Sequence, residues 1–81
     1  MTVYSVAVAN FVPYHPDSDR TLAFIKELEG LVGVHPAYPH GTLILFDSRR
    51  NAQLARKLIK EFGVQVGKNI CELEIDDKYK P

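Results

Sequence analysis

The sequence predicts an α+β sandwich with element order β-α-β-β-α-β, and three observations carry that prediction. Strand-like runs open and close the chain, TVYSVAVA at Thr2–Ala9 and ICELEI at Ile70–Ile75. Between them, one stretch after Arg20 and another after Ser48 repeat apolar residues at helical spacing. The segment Gly41–Gly63 joins both kinds of element. Its GTLILF is β-branched and aliphatic, and the DSRRNAQLARKLIKEFG that follows is capped, periodic and stopped as a helix should be.

Taken in order, the first strand has no polar interruption beyond Ser5, which suits a central position in a sheet. Asn10–Asp19 contains Pro13, Pro16, Asp17 and Ser18 and reads as a loop ending in an N-cap cluster. From Arg20, Leu22, Ile25, Leu28 and Val32 recur at helical spacing with Phe24 alongside, and Gly30 and Gly33 close that helix. The next strand, Val34–Tyr38, carries Pro36, which cannot donate to a ladder, so it belongs at a sheet edge. Pro39-His40-Gly41 turns the chain into the third strand, Thr42–Phe46. Asp47-Ser48 caps the second helix, which places Ala52, Ala55, Ile59 and Phe62 on one face before Gly63. Val64–Asn69 is a small extended loop containing Gly67. In the last strand Cys71, Leu73 and Ile75 point one way, assigned to the core, and Ile70, Glu72 and Glu74 the other. Both helices must bury their stripes against one sheet face to make a single core. With right-handed crossovers the result is a ferredoxin-like sandwich, a four-stranded antiparallel sheet with two helices on one face. Residues 1–81 form one domain, and 76–81, DDKYKP, is a frayed charged tail.

Composition narrows the function classes. Ten basic residues balance ten acidic ones, so the net charge is zero. A general polyanion binder needs an excess of Lys and Arg, whereas zero net charge favours self-association. Cys71 is the only cysteine, which rules out an internal disulfide and points to a reducing compartment. MTVYSVAV has no basic n-region before a long apolar core, and no apolar run approaches the roughly 20 residues that span a bilayer. A cytoplasmic protein without membrane contact is expected.

Three segments resemble an RNA-recognition-motif domain. VAVANF is similar to that family's first signature strand. HGTLILFDSRRNAQLARKLI is similar to its aromatic strand and the helix after it, and VQVGKNICELEI to its closing loop and last strand. The resemblance covers most of the chain and implies the fold. Those domains stack RNA bases on sheet aromatics. Here the stacking positions fall on Ala7, Gly41 and Leu43, none of them aromatic, so the resemblance does not bring the platform with it. The opening YSVAVANF is also similar, at the level of the fold, to the peptidoglycan-binding SPOR domains.

Two surfaces are candidates for binding. If Val6, Val8, Thr42, Ile44 and Phe46 face the helices, then Val3, Ser5, Ala7, Leu43 and Leu45 face away, joined by Ile70. That aliphatic face is the expected protein interface, with another copy of the chain or a foreign protein as partner. Tyr14 and Tyr38 add a rim at the loop end, where His15, His40, Lys68 and Asn69 also gather. Metal binding or acid-base catalysis by the histidines ranks well below this, since His15 and His35 precede prolines and no carboxylate stands at ligand spacing. The second surface is a basic stripe on the second helix, Arg49, Arg50, Arg56, Lys57 and Lys60, the alternative site for nucleic acid. No phosphate loop, catalytic triad or paired-cysteine motif occurs. The expectation is therefore a non-enzymatic interaction module without cofactor or metal.

Overall fold

The computed structural model describes residues 1–9, 16–37 and 41–76. Its elements are β1 (Thr2–Ala9), α1 (Pro16–Lys26), β2 (Leu31–Ala37), β3 (Gly41–Phe46), α2 (Arg49–Glu61) and β4 (Cys71–Glu74). The strands form one four-stranded sheet in the order β2-β3-β1-β4, and all three pairings are antiparallel. The unbroken apolar strand β1 is central, and the proline-bearing strand β2 lies at an edge. This is the expected α+β sandwich of ferredoxin-like type.

Both helices cover the same face. Ile25 of α1 and Ala52, Ala55 and Ile59 of α2 join Val6, Val8, Ile44 and Phe46 of the central strands in one buried cluster. Two alanines in the contact row of α2 let its backbone approach the sheet closely. Phe46 fills the space beneath and is fully buried. The ring of Phe24 stacks on Phe62 at 4.4 Å between centroids, tying α1 to the end of α2.

The caps of α2 follow from its sequence. Ser48 Oγ accepts from the Asn51 N–H at 3.1 Å, as the Asp47-Ser48 pair suggested. At the other end Gly63 N–H donates to Lys60 O and Val64 N–H to Ile59 O, the two hydrogen bonds of a Schellman turn around Gly63 at φ +98°.

Several boundaries differ from the sequence reading. Helix α1 starts at Pro16, so Asp17–Asp19 lie within it and not in the preceding loop. Proline's fixed φ and missing N–H suit the first helical position. The helix ends at Lys26, and Val32 and Gly33 belong to β2, not to α1. Gly30 makes the break. It sits at φ +76° and its carbonyl accepts from the Asp47 N–H at 2.9 Å, joining the start of β2 to the end of β3. A β-bulge between Leu31 and Gly33 then turns Val32 to the face away from the helices.

These two glycines give a stability contrast. A Cβ at Gly30 would collide with Asn51 Nδ2 and Asp47 Oδ1, whereas at Gly63 nothing stands within 4 Å. Both substitutions place alanine at positive φ, which costs about 1–2 kcal/mol. Gly30→Ala also disturbs the Asp47–Asn51 side-chain hydrogen bond of 2.9 Å, adding about 1 kcal/mol. Urea denaturation should therefore show the larger loss for Gly30→Ala, and equal losses would contradict the close approach.

Candidate functional site

The sheet face opposite the helices is not the bare patch the strand pattern suggested. Val3 is 0% exposed, Ser5 4% and Leu45 5%, and Val3, Val32 and Leu45 form a second apolar cluster. Met1, Leu43 and Ile75 pack against it. The alternation gives the parity of β1 and β3 correctly, but a surface that is already filled offers little to a partner. Only Ala7 is exposed among the expected interface residues on this face, and Leu43 is half-buried. Ile70 is a further correction, since it packs against the helix-side cluster.

Register explains the reversal in β4. Ser5 pairs with Cys71 and Val3 with Leu73, so Cys71 and Leu73 share the far face with Val3 and Ser5. Cys71 was expected to be buried in the core, yet it is exposed on the edge strand, with its carbonyl accepting from Ser5 Oγ at 3.3 Å. Met1 and Ile75 close this side by exchanging two backbone hydrogen bonds of 2.9 Å.

Exposed apolar surface lies instead on α2. The large hydrophobics exposed among the described residues are Leu54 at 52%, Leu58 at 44%, Phe62 at 41% and Leu73 at 37%. The first three stand at i, i+4 and i+8, a slanting ridge that runs along α2 to its C-cap Phe62 on the flank toward α1. Leu28, Glu29, Asn51 and Ala55 join Leu54 and Leu58 around a shallow groove of about 100 Å³ beside it. Phe62, which the helical spacing places in the buried row of α2, belongs to this ridge instead. Its stack on Phe24 covers one ring face and leaves the rest in water.

The basic stripe divides in two. Arg49 and Arg56 line an open cleft of about 450 Å³ with Gln53, Lys68, Asn69 and Ile70, between α2 and the chain leading into β4. Arg50, Lys57 and Lys60 lie outside the cleft and are exposed. Arg49 rests its guanidinium 5.1 Å above the centroid of the Tyr4 ring, and Arg56 Nε donates to Gly67 O at 2.7 Å. The Arg56 contact belongs to a wider seam in which Gly67 N–H donates to Ala7 O and Ala9 N–H to Gln65 O. The strand next to β1 thus continues past β4 as residues 65–67, bridging Val66 to Val8.

Tyr14, His15, Tyr38 and His40 of the expected loop rim lie outside the described residues, and His35 is exposed on β2. Among the described residues no group of three His, Cys, Asp or Glu side chains could hold a metal ion. Likewise, no helix there is long and apolar enough to cross a membrane. No protein-family model, curated protein or solved structure shows a significant match to the chain.

The ridge had a signal in the sequence. Ala52, Ala55 and Ile59 complete the core-facing row of α2 and leave Leu54 and Leu58 without a place in it. A helix with two apolar rows has one more than its own sheet can cover.

Proposed function

We propose that this chain is a small non-enzymatic interaction module that self-associates through the exposed apolar ridge of α2. The observation that carries the reading is the ridge of Leu54 and Leu58 on α2 and Phe62 at its C-cap, three of the four large apolar side chains exposed among the described residues. Surface patches of this kind mark protein contacts.

A second copy is the occupant the charges favour. Two α2 helices laid antiparallel about a two-fold axis midway between Leu54 and Leu58 set each Leu54 opposite the other copy's Leu58. The same axis brings each Arg50 opposite Phe62 of the second copy, beside its Glu61. Arg50 and Glu61 are both exposed, so two symmetric ion pairs flank an apolar centre. The balanced net charge adds no long-range repulsion. The free, exposed thiol of Cys71 fits a reducing compartment such as the cytoplasm.

A helix of 13 residues is about 20 Å long, so the contact falls at the small end of specific interfaces, below roughly 1,200 Å² in total. The dimer is accordingly weak. Sedimentation equilibrium from about 10 µM to about 1 mM should show the average mass rising from one chain towards two. A mass of one chain across that range would overturn the reading.

A further inference from the structure

We propose that the cleft between α2 and residues 68–70 binds a phosphorylated small organic molecule, with the phosphate at its Arg56–Lys68 end. This site lies on the flank of α2 away from the Leu54–Leu58–Phe62 ridge and does not depend on self-association.

Arg49, Arg56 and Lys68 bring three cations to one concavity in a chain whose net charge is zero. Among the described residues none of the three is paired with a carboxylate. A cleft lined by one sign of charge without counter-charge concentrates anions within it. Two of the three are held in place. The Gly67 carbonyl holds Arg56 through Nε, leaving the terminal nitrogens to a ligand, and the Tyr4 ring carries Arg49. A guanidinium fixed in this way loses little freedom on binding a phosphate, which it can meet with two parallel N–H bonds.

The remaining lining sets the class of ligand. Gln53 and Asn69 offer amide donors and acceptors, and Ile70 supplies an apolar wall. A volume of about 450 Å³ lies in the range of small-molecule sites, which run from roughly 300 to 1,000 Å³. Arg49 and Arg56 are seven residues apart on the helix, about 10 Å along its axis. Their separate anchors, the Tyr4 ring and the Gly67 carbonyl, set the phosphate at one end and the ligand's polar groups at the other. A nucleic-acid strand fits less well. It needs free aromatic faces to stack its bases, and the Tyr4 ring beside the cleft already holds Arg49.

The test is isothermal titration of the full chain with AMP, ribose 5-phosphate, inorganic phosphate and an eight-nucleotide single-stranded RNA, repeated on Lys68→Glu and Arg49→Gln. Lys68 and Arg49 are exposed, and an unchanged thermal melt checks that each variant is folded. At least one of the two organic phosphates should bind, more tightly than inorganic phosphate. Lys68→Glu should weaken that binding at least tenfold, and Arg49→Gln by less. Absence of binding by both organic phosphates overturns the proposal. So does equal binding of inorganic phosphate, or tighter binding of the RNA than of either small molecule. Affinity unchanged by Lys68→Glu in a folded variant places the ligand elsewhere and overturns it as well.

Discussion

Leu45→Asp is expected to unfold the domain, although Leu45 lies on the sheet face opposite α1 and α2. The side chain is 5% exposed and packs with Val3, at 0%, and Val32. Aspartate there removes a buried leucine, worth about 2–5 kcal/mol, and leaves a carboxylate with no partner in an apolar cluster. A domain of 81 residues has only about 4–12 kcal/mol of total stability, so the substitution removes most of it. Ala7→Asp on the same face is the control. Ala7 is exposed, and the change should cost no more than about 1 kcal/mol. Circular dichroism melts and urea titrations read both variants. A Leu45→Asp protein that melts like wild type would mean that this face is open surface after all.

Leu58→Glu is expected to abolish dimer formation while leaving the fold intact. Leu58 is 44% exposed, so the monomer tolerates a charge there. In the antiparallel pair it meets Leu54 of the second copy, and two-fold symmetry counts each substitution twice. Burying a leucine side chain contributes about 1.5–3 kcal/mol, so the loss amounts to two orders of magnitude or more in the dissociation constant. Light scattering at the highest soluble concentration should then report one chain for Leu58→Glu and a larger average mass for wild type. Equal masses for the two proteins would remove Leu58 from any contact.

The strands and helices were legible where local chemistry acts alone. Ser48 and Gly63 bound α2 because a cap hydroxyl and a left-handed glycine are local devices, and Pro36 marks an edge strand because it has no N–H to give. What failed depends on partners distant in sequence. The run Leu22, Ile25, Leu28, Val32 keeps helical spacing through a boundary that Gly30 makes by docking on Asp47. Alternation in β4 shows that Cys71 and Glu72 face opposite ways. Only pairing with Ser5 and Tyr4 decides which of them faces the helices. Filling of the far face is likewise a tertiary event, produced when a bulge turns Val32 over and Ile75 meets Met1. At the candidate site, the sequence located the basic residues of α2 but not their division between cleft and solvent, because Lys68 and Asn69 reach the cleft from another segment.

The most direct test of where copies of this chain meet is a concentration series of amide and methyl NMR spectra. Resonances of Arg50, Leu54, Leu58, Glu61 and Phe62 should move together and saturate along one binding curve, with Ala7, Leu43 and Leu73 still. Movement confined to Ala7, Leu43 and Leu73, or none anywhere as concentration rises, would contradict the assignment of α2 as the interaction surface.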